Sequence, residues 1–152
     1  MGSRERVAEF LSESGARHEI REFTQSTKNS ALAAQALGCT VAEIAKSVVF
    51  VGVKTAVVIV SGDKKVDTSK LGRILTGQVR TAKPDEVRER TGFPIGGVPP
   101  FPHTAGVEVL PDASLTRFRE VWAAAGAPNA VFKIKVADLL RLVGKGPFDL
   151  AE

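Results

Sequence analysis

Two apolar runs, Val48–Val51 and Ala56–Val60, constrain this chain more than any other feature; they are joined by GVKT within KSVVFVGVKTAVVIVSG. β-Branched residues are stiff at χ1 and pack well on a pleated surface. A short glycine-containing link between two such runs predicts a hairpin. Neither run alternates with polar residues, so both strands are expected to be buried. The hairpin must therefore lie inside a layered structure, and the rest of the sequence has to supply the layers.

It does so by interleaving helical and extended patterns. Ser3 is expected to cap a first helix with Val7, Phe10 and Leu11 on one face and Gly15 at its end. HEIREF alternates like a strand. NSALAAQALG reads as a helix up to Gly38, with Ser26, Thr27 and Ser30 of STKNS as caps. TVAE pairs Thr40 with Glu43 as a capping box. Asp67 is placed to cap TSKLGRILTG, and Pro84 to open a helix that Gly92 ends. GVEVL and AVFKIK read as strands and VADLLRLVG as a last helix, whereas LTRFREVWAAAG fits helix and strand equally. The expected fold class is α/β of the mixed α+β kind: a single domain over residues 1–152, with a central mixed, largely antiparallel sheet flanked by helices.

Composition narrows the class. At 43% apolar and 25% charged residues the chain is globular rather than disordered. No apolar run approaches the roughly 18 residues of a membrane span. MGSRERVAEF lacks the apolar region of a secretory signal, and Arg6 breaks the myristoylation pattern. A single cysteine, Cys39, excludes an internal disulfide and fits a reducing, cytoplasmic setting. The net charge of +4 is compatible with RNA without forming a dense basic stripe.

Several chemistries are missing. There is no G-x-S-x-G, no H-E-x-x-H, no C-x-x-C and no Walker A loop. His18, His103 and Cys39 are the only imidazoles and thiol, so neither a metal nor a cofactor is expected. No serine or cysteine is marked by context as a nucleophile for His103. Two features stand out instead. Lys46 opens the apolar run SVVFV, where its ammonium either snorkels to solvent or enters a cleft. FPIGGVPPFPH, Phe93–His103, holds two glycines and four prolines in eleven residues. Gly96 and Gly97 can turn backbone N–H groups toward a charge, and the prolines stiffen the rest.

EIAKSVVF, VVIVSGDKKVD and AKPDEVRERTGFPIGGVPPF together resemble the YbaK family of aminoacyl-tRNA deacylases, in the same order from about Thr24 to Gly144. The resemblance implies a YbaK-like fold, a small acyl pocket, and hydrolysis of amino acids wrongly attached to tRNA, most often tRNA-Pro. Misacylated tRNA, with prolyl-tRNA synthetase as an associate, is the implied partner. By position Lys46 matches the family's essential lysine, and Gly96-Gly97-Val98-Pro99-Pro100 its Gly-x-x-x-Pro loop. Lys46, Gly96 and Gly97 are then expected to hold and polarise the ester; Ser47, Phe23, Val98, Pro100 and His103 are expected to line or close the pocket. Cysteine-specific members carry a tyrosine on the first strand where this chain has Phe23, and their acidic residue near the last strand has no counterpart around Val131–Lys133. The amino acid removed is left open among Ala, Ser, Thr, Cys and 2-aminobutyrate. Two other readings use the same residues: a non-catalytic binder of tRNA 3′ ends or aminoacyl-nucleotide-like ligands, and a module that docks on a synthetase.

Overall fold

The computed structural model describes residues 2–152. Among them the chain runs α1 (Ser3–Ser14), β1 (His18–Glu22), α2 (Ser30–Leu37), β2 (Ile44–Val51), β3 (Thr55–Ser61), α3 (Thr68–Leu75), β4 (Arg80–Thr81), α4 (Pro84–Thr91), β5 (Val107–Pro111), β6 (Glu120–Ala124), β7 (Ala130–Lys135) and α5 (Val136–Val143). The strands form one sheet in the order β1-β7-β6-β2-β3-β5, with β4 attached to β2. The β2–β6 and β3–β5 pairs are parallel and the remaining four are antiparallel, as expected of a mixed, largely antiparallel sheet.

The hairpin β2–β3 forms the centre, with Val48 opposite Val58. Every residue of β3 is buried. Val57 and Ile59 join a core with Val7, Leu11 and Phe132, whereas Val58 and Val60 join Leu71, Leu110 and Leu150 on the other face. The unbroken apolar run is thus the signature of a strand covered on both sides. A third cluster, around Ala33, Ile44, Trp122 and Val131, seats α2.

Local signals mostly hold. Asp67 accepts from the Ser69 and Lys70 N–H groups, Pro84 opens α4, and Gly15, Gly38, Gly92 and Gly144 end their helices at positive φ. Glu43 accepts from the Thr40 N–H (3.0 Å) and hydroxyl (2.9 Å), although the turn that it caps is a single 3₁₀ turn, Val41–Glu43. Two expected caps are corrected. Gly2, not Ser3, is the N-cap of α1, because Ser3 already has helical geometry. Asn29 caps α2 through its side chain, accepting from Leu32 N–H at 2.8 Å, so Ser26, Thr27 and Ser30 are free for other contacts. The ambiguous stretch divides into a 3₁₀ turn, Ala113–Arg117, and β6.

FPIGGVPPFPH is packed into the core. Phe93, Val98 and Phe101 are buried, and Arg6 lies 4.4 Å from the Phe93 ring centre. Ile95 alone stands well out, 55% exposed.

Candidate functional site

The sheet is split in its middle. β2 pairs with β6 only at Ile44 and Ala45, and with β4 only at Phe50 and Val51. Along β2 the even residues bond toward β3, as the Gly62 N–H donating to the Ile44 carbonyl shows. The odd residues bond the other way, as the Ala82 N–H donating to the Val49 carbonyl shows. Between those contacts the peptide groups of Ser47 have no strand opposite them. A cavity of about 580 Å³ fills this gap and reaches both faces of β2. That volume is in the usual range for a small-molecule site.

On the face of the even residues stand Ile44, Lys46, Gly62 and the Thr27–Ala31 segment; Trp122, buried at the end of the β6 contact, closes that side. On the other face Ser47 and Val49 meet Ala82, Val87 and Val98. Of the expected site residues, Lys46, Ser47, Gly96 and Val98 therefore share one cavity.

The other expected residues lie outside it. The Gly97 N–H donates to the Pro94 carbonyl at 2.9 Å, so it is committed to a turn. Pro100 is buried behind the wall, and Phe23 packs against the cluster of Ala33, Ile44 and Trp122. His103 neither lines nor closes the cavity. Its Nε2 lies 2.8 Å from the Pro99 carbonyl, and its ring meets Phe93 edge-on at 5.6 Å, bracing the Gly/Pro segment from behind.

The glycines also act differently from expectation. A Cβ on Gly96 (φ 81°) would come within 2.6 Å of Lys28 Cβ, and one on Gly97 within 2.9 Å of the Ala127 backbone. Their absent side chains allow the segment to close on its neighbours rather than to leave room for a ligand. Thr27 tightens the same junction, donating through its N–H and hydroxyl to the Pro128 carbonyl. Sequence reading missed Thr27 and Ser30 as cavity walls, because their polarity suits a helix cap equally well.

Lys46 is half-buried, its Nζ 3.5 Å from the Gly62 carbonyl. Burial pushes its pKa below the ordinary lysine value, and nearby Asp63 pulls weakly the other way. Asp63 is itself held by Arg117, at 2.7 and 3.1 Å, and that bond keeps its carboxyl below the usual range. Lys46 therefore enters the cavity as a partly desolvated cation whose nearest carboxylate is already engaged. Among the described residues no group of three or more His, Cys, Asp or Glu could hold a metal.

Burial lowers the His103 pKa, with the Pro99 bond opposing. The unfolded chain then takes a proton near pH 6.5, and the native one only at lower pH. The stability tied to neutral His103 is full above that pH and is lost as pH falls toward the native value. His103→Gln keeps a donor for Pro99 and is expected to flatten the decline of the unfolding midpoint between about pH 7 and 5. An unchanged slope in thermal melts would count against this assignment.

A mixed sheet opened at its centre, with a lysine and a Gly/Pro turn lining the gap, defines a small α+β domain with a ligand-sized cleft. The profile of the aminoacyl-tRNA editing domain matches residues 24–142, and the chain belongs to that family, the YbaK family. It is similar over its whole length to a crystal structure described as a proposed trans-editing enzyme for prolyl tRNA synthetase, at 41% identity, 98% of that chain and a TM-score of 0.90. It is also 35% identical over 124 residues to the uncharacterized protein YwhH of Bacillus subtilis (strain 168), covering 80% of this chain and 79% of that protein. The structure of hypothetical protein APE2540 superimposes with a TM-score of 0.91 at 27% identity, over 97% of this chain and 99% of that one.

Proposed function

We propose that the chain is an aminoacyl-tRNA deacylase that acts in trans on tRNA-Pro bearing a small non-cognate amino acid, with residues 1–152 serving as one editing domain in the cytoplasm. The observation that carries this reading is the meeting of Lys46 with the Gly96–Val98 turn in one cavity at the split of the sheet. Likeness to a proposed trans-editing enzyme for prolyl tRNA synthetase supports the choice of tRNA. Lys28 lines the cavity wall, where a phosphodiester would bring its charge.

In this mechanism the ester carbonyl lies between the Lys46 ammonium and the N–H groups of Gly96 and Val98. Water, assisted by a ribose hydroxyl of the substrate, adds its oxygen to the carbonyl carbon. The resulting oxyanion is stabilised by donors already in place. Collapse breaks the bond between the carbonyl carbon and the ribose oxygen, which takes up a proton. Free amino acid and tRNA with a free terminal hydroxyl leave. The side chain of the amino acid extends toward Ser47, Val49, Ala82 and Val87.

The test is deacylation of tRNA-Pro charged in turn with Ala, Ser, Thr, Cys, 2-aminobutyrate and Pro. Hydrolysis of one or more non-cognate species, with prolyl-tRNA spared, is the expected result. Saturable binding without turnover of any species would replace the deacylase with a binder of tRNA ends.

A further inference from the structure

The cavity has a buried floor and an apolar rim. Ile44, Trp122 and Val131 line it and are buried, whereas Ile95 and Val41 line it at 55% and 36% exposure. Lining residues that solvent reaches mark the mouth. A lone exposed apolar side chain is ordinary, but two at the mouth of one cleft point to a ligand. Core packing does not account for Ile95, since Phe93, Val98 and Phe101 of the same segment are buried without it. Lys28 stands beside it: a Cβ on Gly96, the next residue, would lie 2.6 Å from Lys28 Cβ. Lys28 is exposed, lines the same cavity and is engaged by no carboxylate among the described residues. Val41 abuts Gly62, where a Cβ would lie 2.4 Å from the Val41 carbonyl, and the Gly62 carbonyl is 3.5 Å from Lys46 Nζ. The rim thus adjoins both Gly96 and Lys46, the groups between which the ester is placed.

Resting on the deacylase reading, we propose that Ile95, Val41 and Lys28 seat the terminal nucleotide of the tRNA, its base on the two aliphatic side chains and its 5′-phosphate at the Lys28 ammonium. The chemistry follows from what the ester is attached to. Its alkyl oxygen belongs to a ribose, and the same sugar carries the base and the phosphodiester. With the carbonyl at Lys46 and Gly96, both groups must emerge at the mouth. A base offers a flat, weakly polar face to an aliphatic surface and keeps its polar edge in water. The phosphodiester takes a compact cation whose charge is otherwise uncompensated. An apolar protein segment would cover the aliphatic groups and strand the lysine charge beside them; a nucleotide satisfies both.

Three amides that resist hydrolysis separate these contacts: 3′-deoxy-3′-aminoadenosine acylated with alanine, its 5′-phosphate, and the acylated amino sugar without a base. By calorimetry the wild type is expected to bind the adenosine amide about fivefold or more tighter than the abasic one. The 5′-phosphate should tighten binding about fivefold again at low salt, and less at high salt. Ile95→Ala combined with Val41→Ala should remove the base preference and keep the phosphate preference; Lys28→Ala should do the reverse. All three side chains are exposed, so the variants should melt close to the wild type. Equal wild-type affinity for the base-bearing and abasic amides, or no binding of the phosphate form, would overturn the seat and leave the rim to a protein partner. A base preference that survives the double substitution, or a phosphate preference that survives Lys28→Ala, would overturn it as well. The amides are read without turnover. Both preferences, lost as expected in the variants, would uphold the seat even if no charged tRNA were hydrolysed, and the deacylase reading alone would fall.

Discussion

Lys46→Ala is expected to lower deacylation about 100- to 1000-fold in kcat, the usual effect of removing one preorganised donor from an oxyanion. The size follows from the setting of the ammonium. Half-buried on β2, it has surrendered part of its hydration before the substrate arrives, so its field is less screened than that of a surface lysine. Arg117 occupies Asp63, the carboxylate that would otherwise neutralise it. The substitution replaces a side chain that faces the cavity, so melting should be little changed. Lys46→Arg is not expected to restore the rate, since a planar fork cannot take the place of a compact ammonium. The pH profile supplies a second check. In the proposed mechanism the charged form is the active one, and its pKa lies below the ordinary 10.5, so activity should fall on the alkaline side earlier than for an unperturbed lysine. Full activity of Lys46→Ala on a substrate that the wild type hydrolyses would remove the lysine from the mechanism.

Asp112→Ala is expected to have the largest effect on stability, at least about 3 kcal/mol, because a hydrogen bond to a charged group is worth roughly 1.5–3 kcal/mol and several are lost together. Asp112 is 1% exposed. One of its oxygens accepts from the Leu150 and Ala151 N–H groups at 2.7 and 3.1 Å, and the other from Ser114 N–H at 2.8 Å. It thereby joins the C-terminal segment to the 3₁₀ turn after β5. Removing the carboxylate orphans these donors in a buried place. At about 2–4 °C per kcal/mol for a chain of this size, the melting temperature should drop by about 10 °C. Asp112→Asn, which retains an acceptor, should recover part of the loss. A shift of one or two degrees for Asp112→Ala would show that water replaces the carboxylate without difficulty. The same turn carries Ser114, whose hydroxyl accepts from Ser61 N–H, and Arg117, which holds Asp63. Both brace the corner beside Gly62 and Lys46, so the variant should also lose activity below its melting point.

Much of the fold was legible because its signals are local. The hairpin, the Asp67 cap, the Pro84 opening and the terminal glycines each depend on residues within a turn or two. What was not legible depends on distant pairs. The parallel contact of Ile44 with Trp122 creates the split, yet nothing in either segment announces the other. β4 is too short for any periodicity, and the stretch containing β6 combines a tight turn with a short strand, so no single period describes it. The candidate site divides similarly. Lys46 was marked by a charge at the entrance to an apolar strand. The Gly/Pro segment was marked too, but the closeness of the Lys28 and Ala127 backbones, which makes its glycines necessary, belongs to the folded chain alone. Asp112 carries a local signal, an aspartate opening a turn in PDAS, but its bonds to Leu150 and Ala151 belong to the folded chain alone.

The gap in the sheet has a consequence for how substrate range can change. Its two rims are strand backbones, each held in place by partners on its far side: β2 by β3, and β6 by β7. Its width is thus a property of the scaffold and does not depend on the residues that project into it. Val49, Ala82 and Val87 project from that frame into the part of the cavity proposed to hold the acyl side chain. Exchanging one of them for a residue of similar bulk should alter which acyl group is accepted while leaving both the lysine and the turn where they are.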